Sequence, residues 1–314
     1  MKHDVVTIGM CIVDVFLKPV DELPKLGRAM PIEQMEMHAG GCAVNTAIAL
    51  RKLGHTAAHV GSVGADAYGD YLQTQLSEHG VDIRGVVRDT ETGTACCVML
   101  LSREGERRSL LYYGAMSNLR ADDIDRKVLH DACILHVGGL YHTPQLLGAP
   151  LAGLLQDARQ QGQIVSVDAQ YNWREPHHDA LKMCLPHVDY FFISVEEAVD
   201  LAGSEEPSTI AAYFLEMGAT TVVVKNGAQG SHLYDCSGGQ YIPALPVDAQ
   251  DTTGAGDSYA AGFLAAICRD KTAREAAEMG TATAGLCVKH IGTTTGILPY
   301  AETQKFYWDS QNST

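Results

Sequence analysis

Positive charge is scarce in this chain: Lys and Arg total 23 against 38 Asp and Glu, a formal net charge of -15 over 314 residues. That balance has the wrong sign for a protein that tracks phosphate backbones or anionic lipid, so neither nucleic acid nor membrane is expected as a partner. Long apolar runs are missing as well. No stretch approaches the roughly 18 residues of a membrane span, and the apolar N-terminal stretch is short, contains Asp14 and shows no small-residue cleavage site. The cysteines at 11, 42, 96, 97, 133, 184, 236, 268 and 287 form no C-x-x-C pair. Their odd, scattered pattern suits reduced thiols packed as small hydrophobes in a cytoplasm rather than disulfides or a zinc knot. Solenoid repeats, low-complexity tracts and long linkers are also absent, which leaves one domain over 1–314.

What the chain does have is 46% hydrophobic residues, enough for a large core and too many for a disordered chain. Runs rich in β-branched residues predict strands over 5–9, 58–63, 133–137, 164–168, 190–193 and 221–225. Helical spacing predicts helices over 43–53, 68–79, 145–161, 208–217, 255–268 and 272–288. Alternation of the two is the habit of an α/β protein with a parallel sheet wrapped by helices. Two regions break the rhythm: 35–39 alternates apolar with polar, and 94–101 with 109–113 flanks the turn 103–106. Both read as hairpin-like chain, predicting a small sheet outside the main body, a candidate lid.

Three segments carry candidate chemistry. In Asp251-Thr252-Thr253-Gly254-Ala255-Gly256-Asp257, small residues stand directly before a predicted helix. A helix entrance leaves backbone N–H groups unpaired, small residues let an anion approach them, and the dipole favours negative charge there. A dipole-compensating role accounts for Asp257 but not for the small residues before it. If the site handles phosphoryl groups, Asp257 accepts the proton of an attacking hydroxyl while the amides stabilise the transferred group. Neither G-x-x-x-x-G-K-[ST] nor a strand-borne G-x-G-x-x-G occurs, so P-loop and dinucleotide readings lose ground. In the second segment, Gly40-Gly41-Cys42-Ala43-Val44-Asn45, paired glycines permit close approach and Asn45 can present an amide to a hydroxylated ligand, although such a pair before a helix is commonly only a turn. The third is Asp14, a carboxylate in an apolar run just past the first strand, where parallel sheets hold ligands. The histidines at 177, 178 and 187 have no metal-site spacing and read as structural or surface residues, Cys96 and Cys97 as one side chain on each face of a strand, and Arg103, Arg107 and Arg108 as a solvated hairpin tip or a contact with a neighbouring subunit.

These motifs resemble those of the ribokinase-like sugar kinases, the PfkB family, over nearly the whole chain. The resemblance implies a doubly wound, mostly parallel α/β body with a β lid formed by about 15–38 and 93–114, and ATP-dependent phosphorylation of a hydroxymethyl group on a sugar or nucleoside. By position it implies Asp257 as base, Gly254, Ala255 and Gly256 as anion hole, and Asp14, Gly41 and Asn45 as holders of substrate hydroxyls. On the nucleotide side, Lys225, Gly227 and Gly230 would approach the ATP phosphates, and Glu197 would act through Mg²⁺ and its waters; Ser194 stands where the family has Asn. A K⁺ ion would draw on Asp251, Thr253, Cys287, His290 and Gly292, and the lid would form a homodimer. A sensor that keeps the fold without the chemistry is the alternative from another class.

Overall fold

The computed structural model describes residues 2–104, 106–170 and 178–311; His177 lies outside them. Thirteen strands form two sheets among these residues. They are β1 (His3–Gly9), β2 (Ile12–Lys18), β3 (Gln34–Gly40), β4 (Ala57–Gly64), β5 (Asp82–Asp89), β6 (Cys96–Leu101), β7 (Arg107–Tyr112), β8 (Ala132–Gly138), β9 (Ile164–Asp168), β10 (Tyr190–Ser194), β11 (Thr221–Lys225), β12 (Ser231–Asp235) and β13 (Gly238–Ile242). The helices are α1 (Cys42–Lys52), α2 (Ala67–Glu78), α3 (Arg126–His130), α4 (Ala149–Gln160), α5 (His178–Cys184), α6 (Val195–Ala202), α7 (Pro207–Glu216), α8 (Ala255–Ile267), α9 (Ala273–Val288) and α10 (Tyr300–Gln311).

The large sheet runs β13-β12-β11-β10-β9-β8-β1-β4-β5, parallel from β11 to β5, with β12 and β13 antiparallel at one edge. Its strands alternate faces. Val6, Ile8, Leu135, Val137, Phe191 and Ile193 point into one core with side chains of α3 to α7, whereas Val5, Ile134 and Phe192 point into another with α1, α2, α8 and α9. Such strands, apolar on both faces, need helices on both, which is why the sheet is doubly wound. Phe191, Phe192, Phe214 and Phe263 are fully buried, each stabilising the fold by roughly 2–3 kcal/mol.

The second sheet, β3-β2-β6-β7, projects from this body. The segment holding Asp14 was expected as chain beyond the first strand; it is strand β2, paired with β3 and β6, and the small sheet starts at Ile12 and ends its first pair at Gly40. The helix expected from 145 begins at Ala149, because Gly148 before it adopts φ 82°, which turns the chain out of helical geometry.

Candidate active site

The chain fills the large sheet outward from β1, first to β4 and β5, then back to β8 on the other flank. Crevices for ligands open at the carboxyl ends of strands where the order reverses. Here those ends are Gly9 and Gly138, and a Cβ built on Gly138 would stand 2.6 Å from the amide nitrogen of Ala43. Absence of a side chain therefore lets the start of α1 rest on the sheet end. Gly41 precedes that helix with φ 100°, a backbone that L side chains rarely adopt.

Asn45, one turn into α1, is buried and donates from Nδ2 to Asp257 Oδ2 at 2.7 Å; its own Oδ1 accepts from Thr293 Oγ1 at 3.0 Å. Two segments far apart in sequence are thus clamped by one amide. Asp257 sits in the first turn of α8, whose N-cap Gly254 has φ 78°. The Ala255 amide is engaged by the Thr252 carbonyl at 3.2 Å and that of Ser258 by the Gly254 carbonyl at 2.9 Å. Among the described residues the amides of Gly256 and Asp257 have no acceptor. Lys225 reaches the same turn: its Nζ stands 3.1 Å from the position a Cβ would take on Gly256.

Charge in the site is unevenly compensated. Lys225 Nζ donates to Asp168 Oδ2 at 2.8 Å and Oδ1 at 3.1 Å. Burial lowers the Lys225 pKa, but Asp168, Glu197 and Asp257 more than reverse this and hold it above the ordinary lysine range. Burial pushes Asp257 up and Asp168 adds to it, against the Asn45 hydrogen bond and the Lys225 charge. Asp14 is pushed up to about 7, by burial first and the Asp257 charge second. Its carboxylate fills the space over Gly40, where a Cβ would collide with it.

On the other side of Lys225, Ser194 caps α6: its hydroxyl accepts from the Glu197 amide at 3.2 Å while Glu197 Oε2 accepts from the Ser194 amide at 2.8 Å. Serine and asparagine are equally good N-caps, so the serine keeps the helix start intact. Gly227 (φ 50°) and Gly230 (φ 87°) shape the tight turn after β11, closed by Asn226 N donating to Gly230 O at 2.8 Å. The segments 251–253 and 287–293 are laced together. Asp251 accepts from the amides of Thr253 (2.9 Å) and Gly292 (3.1 Å), Cys287 Sγ lies 3.6 Å from Thr253 O and 3.2 Å from Thr293 O, and the His290 amide donates to Cys287 O at 3.2 Å.

Three participants escape the sequence reading. Asp168 ends a strand that was expected, and a carboxylate at a parallel strand's carboxyl end was the available signal. Thr293 gave no sequence signal. Arg107, expected at a solvated tip, is exposed yet reaches across the cleft to donate from Nη1 to Thr253 Oγ1 at 3.3 Å. Between the small sheet and 249–253 with 291–293 lies a cleft of about 830 Å³ that contains Asp14.

The family model described as pfkB family carbohydrate kinase matches residues 2–300. An ATP-dependent ribose-1-phosphate kinase of Halopiger xanaduensis is 30% identical, over 89% of this chain and 90% of that one. A 2-dehydro-3-deoxygluconokinase of Bacillus subtilis is 26% identical, over 95% and 93%. In fold, the chain is similar to an Arabidopsis thaliana ribokinase complexed with ribose and ATP, with a TM-score of 0.85 at 24% identity, covering 98% of this chain and 99% of that one.

Proposed function

This chain belongs to the pfkB family of carbohydrate kinases, and from that premise we propose that it uses ATP to phosphorylate a hydroxymethyl group of a sugar. The observation that carries the reading is the meeting of a buried carboxylate, unpaired first-turn amides and a lysine ammonium at one helix entrance. Asp14, Gly41 and Asn45 hold the acceptor hydroxyls. The acceptor oxygen attacks the terminal phosphorus of ATP in line; the new O–P bond forms as the bond to the bridging oxygen breaks and ADP leaves. The hydroxyl proton passes to Asp257, whose raised pKa brings it nearer the operating pH. Gly254, Ala255 and Gly256 form the anion hole, in which the amides of Gly256 and Asp257 and the Lys225 ammonium meet the charge on the transferred group.

The phosphates of ATP lie along Lys225, Gly227 and Gly230. Glu197 uses one carboxylate oxygen on its cap, and the other would help to hold Mg²⁺, which would neutralise phosphate charge when bound. Among the described residues no cluster of three or more His, Cys, Asp or Glu side chains converges on one point, which fits a metal held mainly by waters and phosphates. K⁺ would sit by the carbonyls of Thr253 and Thr293, within the segment Asp251, Cys287, His290 and Gly292 shape. A second copy would cover Met35, Leu110 and Tyr112, exposed on the small sheet. Nine unpaired thiols suit a reducing compartment such as the cytoplasm.

Asp257→Asn keeps the amide hole and removes the proton acceptor, so nucleotide and sugar should still raise the melting temperature while turnover disappears. Turnover at the wild-type rate would end the mechanism.

A further inference from the structure

The small sheet turns one face to the cleft, and that face is graded. Register places Asp14 beside Cys97 of β6 and His38 of β3, Phe16 beside Met99 and Glu36, and Gln34 beside Lys18, with Arg107 paired to Leu101 one strand further on. Asp14, Phe16 and Lys18 are two residues apart along one strand, so all three face the same way. From the body outward, the face therefore reads carboxylate, then Phe16 with Met99, then Lys18 with Arg107. All of these residues except Cys97 line the cleft, and Arg108 borders it from the edge strand.

Among the described residues the outer cations make no contact ion pair: no carboxylate lies within ion-pair distance of Lys18, Arg107 or Arg108, although this chain has an excess of acid. Arg103, on the same hairpin but outside the cleft, is paired twice, with Asp21 at 2.6 Å and Glu33 at 3.3 Å. The acidic side chains on the cleft wall are partly spoken for: Glu36 accepts from His38 at 3.1 Å, and Asp251 accepts from two backbone amides while, against burial, the Arg107 charge helps to lower its pKa; Glu106 also lines the cleft. Asp14 and Lys18 are four residues apart, about 13 Å along a strand, and the long Lys18 and Arg107 side chains can lean back toward Asp14. A hydroxyl at Asp14 and an anion at the cationic row then belong to one molecule of sugar size.

We propose that the acceptor is a sugar carrying an anionic group, a phosphate monoester or a carboxylate, at the end away from the hydroxyl phosphorylated, and that Lys18 and Arg107 bind that group. This rests on the kinase reading for the reaction but not for the binding. The two sources share a fixed negative charge and differ in geometry: a phosphate offers three oxygens to both cations, a carboxylate two.

The test compares acceptors in matched pairs, ribose against ribose 1-phosphate, fructose against fructose 6-phosphate and a neutral deoxyhexose against 2-dehydro-3-deoxygluconate. It follows ATP consumption and, separately, thermal stabilisation without nucleotide. The wild-type protein should favour the charged member of at least one pair by about 10- to 100-fold in kcat/KM, mostly through KM, as for hydrogen bonds to a charged group. Which pair responds tells phosphate from carboxylate. In Lys18→Met and Arg107→Met, which keep length without charge, the preference ratio should collapse. Stabilisation by the charged member, lost in both variants, supports the inference even where no acceptor turns over, an outcome that would instead sink the kinase reading. Preference for neutral members, no stabilisation of the wild type by any charged member, or equal losses on both members of a pair overturns it.

Discussion

A methyl group added to Gly256 would stand 3.1 Å from the Lys225 ammonium. The turn that would receive the terminal phosphate of ATP is therefore kept bare on the side from which the lysine arrives. Gly256→Ala should fold with stability within about 1 kcal/mol of the wild type, because alanine suits a helix and the lysine end is flexible. Its turnover should fall at least about tenfold as Lys225 is displaced, a change of some 1.4 kcal/mol in the barrier. Steady-state kinetics beside a melting curve checks both halves.

The bond from Asn45 to Asp257 gives a pH-dependent prediction. Donation to the ionised carboxylate lowers its pKa, so Asn45→Ala should raise it further. The acid limb of the pH–rate profile should then move to higher pH. Stability should fall by about 1–3 kcal/mol, since a buried carboxylate and Thr293 both lose a partner. An unmoved acid limb would show that Asp257 is not the group titrating.

Two fully buried histidines should make the fold acid-sensitive. His59 bonds Thr7 at 2.9 Å and His136 bonds Ser166 at 2.8 Å, each through Nδ1, and each Nε2 is left without a partner. Burial pushes both down to about 3 from 6.5, with the Lys225 charge contributing at His136. As pH drops from 6.5 toward 3 the unfolded chain gains protons that the folded chain refuses, so stability is lost by up to about 1.4 kcal/mol per pH unit for each histidine. Asp14 acts oppositely, losing stability as pH rises from 3.8 through about 7. Urea unfolding at several pH values should therefore show a flatter acid slope in His59→Gln/His136→Gln than in the wild type.

Ser194 has a structural role that serine and asparagine perform alike. Ser194→Ala should cost about 1 kcal/mol of stability, and Ser194→Asn should restore it. Denaturant midpoints distinguish this from a serine needed for nucleotide contact alone, which would leave the midpoint unchanged in both.

Much of the site was legible because its signals are local. Gly40 to Asn45 and Asp251 to Asp257 each announce a helix entrance within a few residues, and both entrances fall where expected. What sequence could not supply is pairing across distance: Asp168 meets Lys225 over 57 positions, and Asn45 meets Thr293 over 248. Strand β2 was missed because it follows β1 after only Met10 and Cys11, so one apolar stretch hides two strands of different sheets. Strands β12 and β13 hid in a polar, glycine-bearing hairpin. Helix α6 did carry a readable start, the Ser194 to Glu197 capping box.

Those brief connections have a mechanical result. The first hairpin of the small sheet, β2 with β3, departs from the body through Met10 and Cys11 and rejoins it through Gly41 alone, with Asp14 just beyond the first joint and Asn45 just beyond the second, while β6 and β7 are joined to the body through 90–95 and Tyr113. A tilt of the projecting sheet is taken up at these four joints, and because Asp14 rides on the sheet while Asn45 rides on α1 of the body, it changes the spacing between those two side chains. If Asp14 and Asn45 hold the acceptor as proposed, opening and release are geared to one another, and the protein cannot lift its cover while keeping a full hold on what lies beneath.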